Sequence, residues 1–222
     1  MRLVVGGDSY TYGHGLKDCI NYADNGYGPE PSKYAWPSLL GTKLNLPVKN
    51  LAMPGRGNDF IIKQFLSNDL YKTDNIVILW SFYTREMFFE ESIIEPYGEW
   101  DKDFMRNKFT YSNVTDSFLK SLMNIRTFTG YLVSKSINFY YIFLEPVEYV
   151  KVYPIYEEFK SKLIKEITPY NISKKTLGVI NKAELTQVYP KAEDDMHPGE
   201  EWHVDLSDLI FNHIYKDIIK LI

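Results

Sequence analysis

The sequence predicts an α/β fold, a three-layer α/β/α sandwich around a mostly parallel sheet of about five strands, and three observations carry that expectation. Short apolar runs of strand length alternate with longer amphipathic stretches along the 222 residues. The run Ile76 to Trp80 is unbroken and apolar, as a strand covered on both faces reads, and such strands belong to parallel sheets. A content of 45% hydrophobic and 16% aromatic residues is enough to fill the core of one domain spanning residues 1–222.

The elements follow in order. Leu3 to Gly6 is the first strand, and a loop rich in Gly, Asn and Pro runs from Tyr12 to Lys33. Trp36 opens a helix with Pro37 in its first turn, where the missing N–H costs nothing, and that helix should stop near Asn45. Pro47 to Ala52 is the second strand, Phe60 to Leu70 the second helix and Asn75 to Trp80 the third strand. Phe88 to Asn113 mixes aromatics and acids without periodicity and reads as an insertion, a lid or a contact surface. Asp116 to Ser134 carries apolar residues at helical spacing, and Phe139 to Leu144 is a fourth strand ended by Glu145-Pro146. A helix near Glu157 to Ile167, a faint fifth strand within Leu177 to Val188 and a last helix from about Glu200 to Leu221 complete the chain.

Composition removes several function classes. The net charge is −4, from 29 acidic and 25 basic residues, and the basic ones are scattered, so nucleic acid is not the expected partner. Cys19 is the single cysteine and cannot form an intramolecular disulfide, which fits a reducing, cytoplasmic setting. The apolar start Leu3-Val4-Val5 is too short for the core of a signal peptide, and no window supplies the roughly 20 apolar residues of a membrane span. No cofactor motif is present: neither Gly-x-Gly-x-x-Gly nor a Walker-type lysine follows the first strand. Nothing in the sequence fixes an oligomeric state.

The chemistry enters at Gly6-Gly7-Asp8-Ser9, a serine just past an apolar strand. Open α/β sheets carry their sites at that carboxyl edge. The two glycines would let the backbone turn sharply, and a helix or turn after Ser9 would aim its N–H at an anion forming beside the hydroxyl. Near the other end, Asp194-Asp195-Met196-His197-Pro198 places a carboxylate three residues before an imidazole. A hydroxyl is a weak nucleophile until a base lies within reach and a third group orients that base, and these are the residue types required. Read separately, Asp8 and Ser9 could merely cap a turn, and the acids could cap the last helix with the histidine in solvent.

Together the two clusters resemble the SGNH, or GDSL-like, hydrolase superfamily. The resemblance implies a flavodoxin-like strand order, with Ser9 as nucleophile, His197 as base, Asp194 as orienting acid, and Gly55 in Asn50-Leu51-Ala52-Met53-Pro54-Gly55 as an oxyanion-hole donor beside Ser9. Gly-Asp-Ser-Tyr-Thr-Tyr-Gly, Tyr34-Ala35-Trp36-Pro37 and the stretch from His197 to His203 are similar to a subgroup frequent in phage and marine bacterial genomes; a phage origin would place the protein in a host cytoplasm or virion. The family's third block, Gly-x-Asn-Asp after the third strand, is replaced by Trp80-Ser81-Phe82-Tyr83-Thr84-Arg85-Glu86, with no asparagine. Asn58 is the favoured substitute donor, with helix N-cap as its other role; Ser81, Thr84 and Arg85 are further candidates.

The expected activity is hydrolysis of a small-molecule or carbohydrate ester through Ser9, His197 and Asp194, without metal or cofactor. Asp8, Tyr10, Trp80, Ser81, Thr84 and Arg85 would line the pocket, and the aromatics Tyr10, Tyr12, Trp80, Phe82 and Tyr83 would suit an acetylated sugar or serve as ordinary packing. The alternatives are an inactive binding or structural protein on the same fold and a metal hydrolase built from Asp194, Asp195, His197, His203 and Asp8, although no His-Glu-x-x-His pair is present. His14, His213 and Cys19 receive no role.

Overall fold

A computed structural model of the chain describes residues 1–21, 26–83, 85–90, 93–97, 114–144 and 189–219. Four parallel strands form the main sheet: β1 (Arg2–Gly6), β4 (Val48–Asn50), β5 (Asp74–Trp80) and β8 (Asn138–Phe143), in the order β4-β1-β5-β8. The second strand of the sheet thus lies outside the first, and the third and fourth follow on its other side. This is the doubly wound order whose reversal lies between the first and third sheet strands. Four strands are described where about five are expected; the proposed fifth strand, like the helix expected near 157–167, falls outside the described residues.

Alternation along the strands sends apolar side chains to both faces. Leu3, Val5, Val77, Leu79, Tyr140 and Ile142 face one layer, where Trp36, Leu40 and Leu44 of α2 (Trp36–Leu44) and the last helix cover them. That last helix, α5 (Glu200–Ile219), contributes Trp202, Leu206, Ile210, Ile214 and Ile218, one residue every four positions. Such spacing keeps one stripe against the sheet. Val4, Ile76, Ile78, Trp80, Phe139, Tyr141 and Phe143 face the other layer, against Ile61 and Phe65 of α3 (Asn58–Leu66) and Ile125, Phe128 and Leu132 of α4 (Val114–Ser134).

Two small additions sit outside this sandwich. Within the expected loop 12–33, β2 (Ile20–Asn21) and β3 (Gly26–Tyr27) pair antiparallel. The segment read as an insertion from Phe88 opens as an antiparallel ribbon, β6 (Glu86–Glu90) with β7 (Ile93–Tyr97), and 98–113 lie outside the described residues. No helix among the described residues is long and apolar enough to cross a membrane.

Candidate active site

The carboxyl edge of β1 feeds directly into a single helical turn, α1 (Ser9–Tyr12), with Asp8 as its N-cap. The Asp8 carboxylate accepts from the Tyr10 N–H at 3.1 Å, and its carbonyl accepts from Thr11 and Tyr12, so Ser9 is held as the first residue of the turn. The sharp turn expected at Gly6 and Gly7 is made without a positive φ at either residue. Close approach requires them instead: a Cβ on Gly6 would lie 2.3 Å from the Phe65 ring, and one on Gly7 would lie 2.0 Å from Thr11 Oγ1.

Asp8 is fully buried, so its charge needs partners. Ser81 Oγ donates to Asp8 Oδ2 at 2.7 Å and Arg85 Nη1 donates to the same oxygen at 2.6 Å, while Arg85 also reaches Ser81 Oγ at 3.2 Å. Asn58 closes this knot from α3. Its Oδ1 accepts from the Ser81 N–H at 2.8 Å, and its Nδ2 donates to the Ser81 carbonyl at 3.0 Å and to Ser121 Oγ at 2.7 Å.

These contacts correct several expectations. Both amide hydrogens of Asn58 are engaged, leaving neither for an oxyanion, and the N-cap of α3 is Gly57 rather than Asn58. Trp80 lines no pocket: it is wholly buried against Phe128 and Tyr141 in the core beneath the edge. Asp8 and Ser81 are buried supports under the Ser9 turn rather than pocket surface, while Arg85 both supports the turn and lines a small cleft with Asn58, Tyr83 and Ser121. Thr84 lies outside the described residues.

The second cluster is a tight loop leading into α5. Ala192 donates to the His197 carbonyl and Gly199 to the Pro190 carbonyl, and Asp195 takes a left-handed φ of 57° at the tip. Asp194 Oδ1 accepts the N–H groups of Met196 and His197, both at 3.0 Å, leaving Oδ2 to meet His197 Nδ1 at 2.5 Å. Burial pushes the Asp194 carboxyl up, but the His197 ring and the two backbone donors outweigh it and hold the group well below the usual carboxylate range. The acid is therefore an anion fixed on one imidazole nitrogen, which orients the other to take a proton.

This loop lies against the Ser9 turn. Glu193 donates to the Gly15 carbonyl at 2.9 Å, Tyr10 meets the His197 ring edge-on at 5.6 Å, and His14 stacks on His197 at 4.6 Å. The backbone N–H of His14 in turn donates to the Ser9 carbonyl. The Ser9 hydroxyl makes no hydrogen bond to a described residue, His197 included, and the N–H groups of Ser9 and Gly55 are likewise unengaged among the described residues. Gly55 sits in the loop after β4, the strand paired with β1, at a φ of +74°.

His14 is the residue that sequence reasoning missed. Its signal lay in its flanks: Gly13 and Gly15 both adopt positive φ, and a Cβ on Gly15 would lie 2.5 Å from Asp194 Cγ, so the loop is cut to pass over that acid. Desolvation, then the neighbouring His197, lowers the His14 pKa. His14, Asp194 and His197 are the donor cluster able to hold a metal ion among the described residues, with their ligand atoms within 4.8 Å of one another. The metal set of the rival reading is not brought together. Asp8 is tied to Arg85, and His203 is buried with its Nδ1 accepting the Trp36 N–H at 3.2 Å, capping the start of α2.

No protein-family model matches the sequence, and no curated protein does. Solved structures are similar in fold. An acetyl xylan esterase from Butyrivibrio proteoclasticus superposes with a TM-score of 0.59 at 12% identity, over 98% of this chain and 64% of that one. A carbohydrate esterase whose active site displays divergent catalytic and non-catalytic binding functions gives 0.58 at 14% identity, over 97% and 64%. A family two carbohydrate esterase from Clostridium thermocellum, solved with cellohexaose, gives 0.51 at 12%, over 98% and 64%. The chain thus spans a little under two thirds of the length of these esterases. With its parallel 2-1-3-4 sheet and these structural neighbours, the chain has the SGNH hydrolase fold.

Proposed function

We propose that this chain is a serine esterase in which Ser9 is the nucleophile, His197 the general base and Asp194 the acid that orients it. The observation that carries the reading is the 2.5 Å Asp194–His197 hydrogen bond on a loop packed against the turn bearing Ser9. In the first half-reaction His197 takes the Ser9 proton, the oxygen attacks the ester carbonyl, and the imidazolium returns the proton to the departing alcohol. In the second, water gives a proton to His197 as it attacks the acyl-enzyme, and the imidazolium returns that proton to the departing Ser9 oxygen as the acid leaves. The N–H groups of Ser9 and Gly55, unengaged and carried on the loops after two paired strands, are the donors for the tetrahedral oxyanion. Arg85 and Ser81 act beneath, by holding Asp8 and through it the turn.

The substrate class that the fold neighbours support is an acylated carbohydrate, since an acetyl xylan esterase and an esterase solved with cellohexaose share the architecture. Half-buried Phe82 and Tyr83 follow β5 at the same edge of the sheet and offer aromatic surface for a sugar ring.

Labelling with a fluorophosphonate, mapped to its peptide and run beside p-nitrophenyl acetate hydrolysis, tests the reading. Modification confined to Ser9, lost in Ser9→Ala and His197→Ala, is the expected result. Folded protein that neither reacts nor hydrolyses would leave a binding protein on this fold.

A further inference from the structure

We propose that His14, Asp194 and His197 form a binding site for a divalent transition metal of the zinc class, and that the metal, when bound, takes His197 out of service as a base. The binding half of this inference stands on the donor cluster alone. The inhibitory half rests on the function proposed above.

The donor set suits such an ion. Two imidazoles and one carboxylate favour zinc, nickel or copper over magnesium and calcium, which prefer all-oxygen shells. The three ligand atoms already lie within 4.8 Å of one another. His14 Nε2 stands 4.0 Å from Asp194 Oδ2, and His197 Nδ1 stands 2.5 Å from the same oxygen. Around a tetrahedral zinc, donors at about 2.0–2.2 Å from the metal are separated by roughly 3.4 Å. His14 therefore has to close on Asp194 by about 0.6 Å, the His197–Asp194 contact has to open by about 0.9 Å, and the two imidazole nitrogens, within 4.8 Å of each other, have to close by up to about 1.4 Å, adjustments that ring rotation can supply.

The surroundings restrict which atoms can serve. Asp194 Oδ1 is committed to the N–H groups of Met196 and His197, which leaves Oδ2 facing the two rings. The rings stack with 30° between their planes, and Tyr27 meets His14 edge-on at 5.7 Å. The Gly15 backbone, lacking the Cβ that would collide with Asp194, fixes the close approach of the His14 loop to the carboxylate. Nothing in the proposed acyl transfer requires His14. A second imidazole poised over the acid and base of a hydrolytic site turns a two-residue relay into a three-donor chelate.

The test uses the full chain, stripped with a chelator and then freed of it, titrated with zinc chloride at pH 7.5. Zinc occupancy is read by competition with a chromophoric chelator, and p-nitrophenyl acetate hydrolysis is followed in parallel. The expected result is one zinc per chain with micromolar or tighter affinity, weakened at least tenfold in His14→Phe, which keeps a stacking ring and removes the nitrogen. Hydrolysis by the wild type should fall with the same midpoint, and the midpoint for His14→Phe should move by the same factor, each protein scored against its own zinc-free rate. Binding weaker than millimolar, or equal in both proteins, overturns the site. Tight, His14-dependent binding without inhibition of an active enzyme overturns the regulatory half. A protein that binds zinc through His14 but hydrolyses nothing retains the site and refutes the esterase reading instead.

Discussion

Asp8 and Arg85, 77 positions apart, meet in a 2.6 Å ion pair buried beneath the turn that starts at Ser9. Arg85 comes from the stretch after β5, where the resembled family places an asparagine, and the Asp8 carboxylate that it holds caps the turn through the Tyr10 N–H. A charge buried this deeply tolerates its partner's loss poorly. Arg85→Met is expected to destabilise the protein by about 3–5 kcal/mol, because Asp8 is left uncompensated. Removing both charges in Asp8→Asn with Arg85→Met should recover part of that loss. Urea unfolding of the three proteins checks this; a double variant no better than the single one would show that the ion pair is not the source of the effect.

Asn58 offers a test of clamp against oxyanion donor. Truncation to Ala leaves the buried Ser81 N–H and carbonyl without partners, at about 1–3 kcal/mol for each group. Thermal denaturation should therefore shift downward, whereas kcat, measured well below the transition, should change by less than about tenfold. Loss of a true oxyanion donor would cost about 100- to 1000-fold at unchanged stability.

Asp194→Asn separates orientation from loop structure. The amide oxygen can still accept from Met196 and His197, preserving the turn, but its NH2 group faces Nδ1 and selects the wrong imidazole tautomer. If Asp194 acts as proposed, kcat should fall by about 10⁴ with little change in KM, as it does when the acid of a Ser-His-Asp triad is made an amide. Full activity in a folded variant would remove Asp194 from the proposed mechanism.

Acid should weaken the fold through His203. Complete burial lowers its pKa from 6.5 to about 3, with a smaller contribution from His197. Between those values the unfolded chain binds a proton that the native one refuses, so stability falls as pH drops, by about 1.4 kcal/mol per unit. The lowered His14 pKa acts with the same sign. His203→Asn keeps an acceptor for the Trp36 N–H without the titration; the difference in unfolding free energy between wild type and variant should shrink as pH goes from 7 to 5. A constant difference would mean that His203 takes up a proton in place.

Much of this architecture could be read from residue order because it follows from local periodicity. The apolar run Ile76 to Trp80 marks the central strand, and the last helix, expected from about Glu200 to Leu221, is described as Glu200–Ile219, each within a residue or two of its observed bounds. The pairing of Asp194 with His197 was legible for the same reason: three residues span one tight turn. Long-range burial was not. Trp80 read as pocket surface because its side of the sheet depends on α4, and Asn58 read as a donor because its partners, Ser81 and Ser121, are 23 and 63 positions away. His14 has no pattern of its own and gains meaning only where the Gly15 backbone meets Asp194.

The bond from the Trp36 N–H to His203 links positions 167 apart, and the loop holding Asp194 and His197 leads straight into the helix that seals one face of the sheet. Ring closures of that size come late in folding, because their entropy must be overcome before any contact returns it. As the ribosome releases the chain, Ser9 therefore emerges before Asp194 and His197, which reach it only when the helix that follows them docks. Half-made molecules carry the serine turn without the imidazole, so the site and the finished core come into being in one event.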